Sequence, residues 1–190
     1  MDDIVNIIKG CIGNDHKYQK LAYERYRGFA LKTVFRYIYT YEKATDVMHD
    51  GFVKIFRHFS TFKWKDMEDL EKMLMGWMRK ILINTAIDEL RKMKMMPEIG
   101  GIPEYVWEVP DNGQQADQLL LYKDLIICIK KLPPQYRVVF NMYVLDGYSH
   151  YEIADRLQFS VGTSKSTLSR ARMLLQKYIK QGEGEVVCSN

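Results

Sequence analysis

Apolar residues recur along this chain at helical spacing, and nowhere does a strand-like alternation run far. Asp2 to Cys11 carries a short amphipathic pattern, with Asp2 and Asp3 favourable beside a helix N-terminus. His16 to Tyr41 reads as one long helix whose stripe runs through Leu21, Ala22, Arg25, Phe29, Lys32 and Phe35, with Arg25 and Lys32 interrupting it. Ala44 to Phe59 places Val47, Met48, Phe52, Ile55, Phe56 and Phe59 on one face. After a loop around Phe62-Lys63-Trp64-Lys65, Asp66 to Met95 is expected to be mostly helix with Trp77, Ile81, Leu82, Thr85 and Leu90 inward.

The pattern then stops. Pro97, Gly100, Gly101, Pro103, Pro110 and Gly113 exclude a helix between Pro97 and Gln115. Helical spacing resumes from Leu119 to Lys131, restarts at Leu132-Pro133-Pro134 and runs to Leu145, ending at Asp146-Gly147. Ser149-His150-Tyr151-Glu152 has the form of a capping box for the next helix, and Ser160 is placed to cap the last one. Beyond Gln181 the tail is expected to fray. The fold class is therefore all-α, with two small helical domains: residues 1–96, a linker at 97–117, residues 118–181, and a tail at 182–190.

Charge follows the same division. The formal net charge is only +4, but Lys130 to Lys180 holds nine basic and three acidic residues, whereas Pro97 to Asp124 holds one basic and six acidic. A basic C-terminal block behind an acidic connector points to two domains with different partners. The three cysteines, Cys11, Cys128 and Cys188, are far apart and form neither a metal spacing nor a disulfide framework. A reduced, cytoplasmic compartment fits them. The N-terminus lacks the form of a signal peptide, and no run of about 20 apolar residues exists to insert in a membrane. His16, His49, His58 and His150 are spread over different helices. With no metal motif and no phosphate-binding glycine loop, neither an enzyme, a metal nor a cofactor is expected.

The last two helical segments carry the chemistry. On a wheel of about 100° per residue, Val161, Ser164, Leu168, Ala171 and Leu175 share one side. Thr163, Ser166, Ser169 and Arg170 point the other way, with Lys165 and Arg172 on the flank. Small hydroxyl side chains let a helix backbone sit deep in the major groove of DNA. Arginine pairs with guanine, and lysine and arginine neutralise phosphates. The pair of segments reads as a helix-turn-helix whose second helix enters the groove. This pattern alone does not distinguish repressor, activator and sigma factor.

The chain resembles the sigma-70 family of bacterial RNA polymerase sigma factors, and within it the small extracytoplasmic-function (ECF) group. The resemblance rests on LPPQYRVVFNMYVLDGYSHYEIADRL followed by SVGTSKSTLSRAR, and on ATDVMHDGFVKIF and WMRKILINTAIDELRK, in that order. Such a resemblance implies a protein that gives core RNA polymerase its promoter specificity. It implies docking on the β′ clamp helices through Asp46, His49, Asp50, Val53 and Phe56, with Phe52 and Phe56 themselves largely core, and a second contact with the β flap. It implies recognition of the −10 element by Phe62, Lys63, Asn84, Asp88, Arg91 and Lys92, with Lys94 adding to the basic cluster. The −35 element falls to Thr163, Lys165, Ser166, Ser169, Arg170 and Arg172. An anti-sigma factor, common in the family, would compete for these surfaces. The chain departs from the family at His49-Asp50, where Gln-Glu is usual, and at Ser164, where an inward Val is common. It also departs in a longer segment between Phe62 and Trp77. The competing expectation is a stand-alone helix-turn-helix regulator of the LuxR type, which never joins the polymerase.

Overall fold

The computed structural model describes residues 2–64, 68–93 and 126–187, with side chains from 3 to 180 in these ranges. Among the described residues all regular structure is helical. The chain divides between Val109 and Pro110 into two compact units. The expected linker, residues 97–117, lies outside the described residues, as does Lys94.

The first unit contains α1 (Asp2–Ile12), α2 (His16–Phe35), α3 (Tyr41–His58), a 3₁₀ turn (Phe59–Thr61) and α4 (Leu70–Lys92). In α1 the expected spacing holds: Ile4, Ile7, Ile8 and Cys11 are buried against α2. Burial pushes the Cys11 thiol up to about 12, with Asp15 adding to the effect, so this sulfur is an inert packing group. Asn14 takes the left-handed conformation between the helices, and the Asp15 carboxylate caps α2 by accepting from Lys17 N–H at 2.8 Å.

Two expectations for α2 are corrected. Its buried stripe is Ala22, Tyr26, Ala30, Thr33 and Val34, with Phe35, whereas Leu21 and Arg25 are exposed and Phe29 and Lys32 half-buried. Arg25 is drawn outward because its guanidinium reaches both Asp3 on α1 (3.1 Å) and Glu71 on α4 (2.9 Å). Tyr26 donates to the same Glu71 oxygen at 3.1 Å. The wheel is thereby turned by about one position. The helix also ends at Phe35 rather than Tyr41. Tyr37, Ile38 and Tyr39 form a non-helical link that is itself core, each no more than 1% exposed.

α3 begins at Tyr41, earlier than expected, and buries Val47, Met48, Phe52 and Ile55. α4 is buried on more than one side, through Leu70, Leu74, Met78, Leu82, Ile83, Ala86, Ile87 and Leu90. Its neighbours are both α2 and α3. Trp77 and Ile81, expected inward, are half-buried at its edge. The expected helical start at Asp66 lies outside the described residues.

In the second unit, residues 126–130 are helical and bury Ile126 and Ile129. α5 (Pro134–Phe140) opens with proline, continues as a π turn (Asn141–Leu145) and reverses at Gly147, whose φ of +72° suits glycine. α6 (His150–Leu157) and α7 (Val161–Val187) follow. α7 packs against both α5 and α6. Its backbone stays helical past Gln181 to Val187, where a frayed tail was expected.

Gly51 marks the closest approach of α3 to α4. A Cβ there would come 2.6 Å from Leu82 Cδ2, in a fully buried site. Gly51→Ala should lower stability by about 1–3 kcal/mol, because overpacking outweighs the gain in helix propensity. An unchanged or raised melting temperature would show that Leu82 has room to move.

Candidate nucleic-acid interface

The helix-turn-helix is built by its caps. Ser149 Oγ accepts from Glu152 N–H at 3.2 Å, and the Glu152 carboxylate accepts from Ser149 N–H at 2.8 Å. This completes the expected capping box. α6 closes at Gln158, a left-handed residue with φ 56°. Ser160 then caps α7, accepting from Thr163 N–H at 3.0 Å and meeting the Thr163 hydroxyl at 2.9 Å. The reversal needs only Gln158, Phe159 and Ser160 because both helix ends are satisfied locally.

α7 is oriented by what it buries. Ser164, Thr167, Leu168, Ala171 and Leu175 are all 5% exposed or less, facing α5 and α6, while Val161 is half-buried. Lys165, Ser166, Ser169, Arg170 and Arg172 are exposed. Of the residues expected on the outer face, Thr163 is half-buried and committed to the cap. Arg172 lies with its guanidinium 5.8 Å from the centre of the Tyr143 ring. Lys165, Ser169 and Arg170 are the unobstructed members of the face.

One contact was not foreseen. His150, at the start of α6, places Nδ1 2.9 Å from Ser164 Oγ on α7. Its ring stacks on Tyr143 of the π turn at 4.4 Å and 24°. Ser164, placed where an inward valine is common, is fully buried with this hydroxyl–imidazole bond as its side-chain contact. Burial, then the charges of Lys165 and Arg172, hold His150 below the ordinary histidine value. A capping-box sequence does not reveal such a bond, because it joins residues 14 positions apart.

In the first unit, Asp46, His49, Asp50 and Val53 lie along the exposed side of α3. His49 is tied to Tyr23 by a 3.0 Å hydrogen bond. Phe56 is half-buried between Phe52 and Phe59. Asp50 and Val53 share a groove of about 300 Å³ with Lys54, Arg57, Asp88, Glu89 and Lys92. Asp88 and Lys92 thus sit beside the α3 residues expected to meet polymerase. Asp88 pairs with Lys54 at 3.4 Å and Lys92 with Glu89 at 3.1 Å.

The loop before α4 departs from expectation. Phe62 is 5% exposed, packed against Trp77 and Trp64, so its ring is a floor rather than a surface offered to a base. Lys63 is exposed, and Trp64 is the half-buried outer ring of the cluster. Alternating aromatic and lysine residues gave no signal in sequence for which ring turns inward. Asn84 is half-buried, and its buried Oδ1 has no hydrogen-bond partner among the described residues. Arg91 is exposed. Among the described residues no three His, Cys, Asp or Glu gather as a metal site, and no helix is long and apolar enough to cross a membrane.

The family model for sigma-70 region 2 matches residues 22–94, and that for sigma-70 region 4 matches residues 123–175. The chain belongs to the sigma-70 family of RNA polymerase sigma factors, in its ECF group. It is 25% identical over 150 residues to the ECF RNA polymerase sigma factor SigE of Mycolicibacterium smegmatis, covering 77% of this chain and 55% of that protein. It is 26% identical over 165 residues to the ECF RNA polymerase sigma factor SigW of Bacillus subtilis, covering 82% of this chain and 85% of the other. In fold it is similar to the sigma factor RpoE of Bartonella quintana, solved with the anti-sigma factor NepR. That match has a TM-score of 0.50 and 20% identity, over 85% of this chain and 96% of that one. The stand-alone LuxR-type reading is not favoured, since region 2 occupies the half such a regulator does not need. Sigma factors are regulatory rather than catalytic proteins.

Ser160→Ala removes the cap of α7 and should cost the second unit about 1 kcal/mol. Thermal denaturation read by circular dichroism checks this, and an unchanged midpoint would place the cap's role elsewhere.

Proposed function

We propose that this ECF sigma factor joins core RNA polymerase and directs it to promoters by reading two DNA elements with its two units. The observation that carries the reading is the outer face of α7, where Lys165, Ser166, Ser169 and Arg170 are exposed behind two capped helix ends. Serine keeps the helix slim enough for the major groove. Arg170 supplies a bidentate base contact and Lys165 a phosphate contact at the −35 duplex. Arg172, resting on Tyr143, approaches the groove edge.

The −10 element is read by the first unit. Opening requires a base to leave the stack, at a cost of a few kcal/mol, and stacking and polar contacts offset that cost. Lys63, Trp64, Asn84 and Arg91 are the groups exposed or unsatisfied enough to serve. Phe62 supports Trp64 from beneath. Asp88, an anion paired with Lys54, belongs with the α3 groove rather than with phosphates.

Polymerase docking uses the exposed side of α3, where Asp46, His49 and Asp50 give polar contacts and Val53 an apolar one, 52% exposed and without a core role. Phe56 contributes its outer edge. The β′ clamp helices are the partner for this face, and the β flap is the partner for the second unit. An anti-sigma factor would act by covering the α3 face or α7. A cytoplasmic site of action follows from the partner.

Purified chain should co-elute with bacterial core polymerase and start transcripts at discrete sites on genomic DNA of its host. Lys165→Ala with Arg170→Ala should weaken binding of the recovered promoter duplex by about 30-fold or more, leaving co-elution with core intact. Equal loss of both activities would overturn the assignment of the two units.

A further inference from the structure

His150 sits where three elements meet. Its own helix supplies the ring at the first position of α6, the π turn supplies the stacked Tyr143, and α7 supplies Ser164. The charges bearing on the ring are Lys165 and Arg172, both on α7 and both at the edge of the groove-entering face. Of the two carboxylates of its own helix, Glu152 is turned onto Ser149, and Asp155 is exposed and not among the charges acting on the ring. Asp146, at the end of the π turn, bears instead on Tyr148, as does Arg156 of α6. The imidazole therefore sits beside two cations, and burial, then the charges of Lys165 and Arg172, hold it below the ordinary histidine value.

An anion changes that balance. In the tautomer whose Nδ1 accepts from the Ser164 hydroxyl, the proton of the neutral ring sits on Nε2, which has no partner among the described residues. A DNA phosphate entering between Lys165 and Arg172 cancels their repulsion and offers Nε2–H an acceptor. A second proton then settles on Nδ1, which donates to Ser164 Oγ. The serine hydroxyl turns to the carbonyl of Ser160 one turn back, which already accepts from Ser164 N–H and has a second lone pair. The bond between α6 and α7 survives the change, with its direction reversed.

We propose that His150 is a phosphate-contacting member of the −35 interface, acting with Lys165 and Arg172, and that duplex binding is coupled to uptake of a proton at its ring. This rests on the reading of α7 as the −35 helix. It makes His150 a sensor of pH in the range where histidine ordinarily titrates, around pH 6–7. The signs differ for folding and binding. In the free protein a depressed histidine favours the neutral ring, so the stability it allows is present above the ordinary histidine value and declines as pH falls through the folded one. In the duplex complex the phosphate reverses the preference, so affinity rises as pH falls.

The test uses holoenzyme assembled from the full chain and core polymerase, with the recovered promoter duplex as probe, titrated at fixed salt from pH 8 to pH 6. The wild type should gain about threefold to tenfold more affinity over this range than His150→Gln, which keeps a side chain able to hydrogen-bond Ser164 but does not titrate. Calorimetry of the wild type in buffers of different ionisation enthalpy should report net proton uptake on binding, and serves if the variant does not fold. Parallel pH profiles and no proton uptake, with Arg170→Ala still weakening the complex, would overturn the role of His150 alone. No effect of Arg170→Ala would remove the −35 reading of α7, and this proposal with it.

Discussion

Everything the second unit is proposed to present to DNA depends on which side of α7 is buried. Burial of Leu168, Ala171 and Leu175 supplies the driving force, since each apolar side chain removed from water contributes about 1–3 kcal/mol. Those contacts alone leave the helix some freedom to roll, because apolar packing is non-directional. Ser164 removes it. A buried hydroxyl must find a partner, and here it lies 2.9 Å from the imidazole of His150. A polar residue in a position that valine often fills thus exchanges some packing energy for a directional constraint between the two helices. That constraint helps set the direction in which α7 turns Lys165 and Arg170 away from α6.

A similar division of labour holds in the first unit. The core of α2, α3 and α4 is apolar and closely approached at Gly51, so it sets distances between helices. The Arg25–Glu71–Asp3 ion pairs, with Tyr26 donating to Glu71, set the roll of α2 and anchor the first turn of α4. Arg25 is 38% exposed in its side chain, so the ion pairs contribute modestly to stability. Their consequence is geometric: α4 begins at a defined place after the loop that carries Lys63 and Trp64.

The aromatic residues form one connected series from this loop into α3. Trp64 stacks on Phe62, Phe62 and Phe59 lean on Trp77, and Phe59, Phe56 and Phe52 follow one another to Tyr23. Tyr23 in turn holds His49. The proposed −10 loop and the proposed polymerase-docking side of α3 therefore share one packed support. A rigid support of this kind keeps loop and helix in register without placing them in contact.

By itself the sequence determined what depends on neighbours a few residues apart. The all-helical class, the face of α1, the proline start of α5, the capping box at Ser149 and Glu152, the Ser160 cap and the buried side of α7 all follow from spacings of three or four residues. The resemblance to ECF sigma factors rested on the same short blocks. Tertiary structure alone decided what depends on distant partners. The stripe of α2 turned because Arg25 found Asp3 and Glu71. The helix ended at Phe35 because Tyr37, Ile38 and Tyr39 were needed as core, with neither glycine nor proline to announce it. Phe62 went inward and Trp64 outward because Trp77 stands on one side of the loop. Asp88 joined the α3 groove because Lys54 reached it, and His150 was tied to α7 because Ser164 lies across the turn. Local periodicity cannot encode these choices, since in each case the deciding atom belongs to another element.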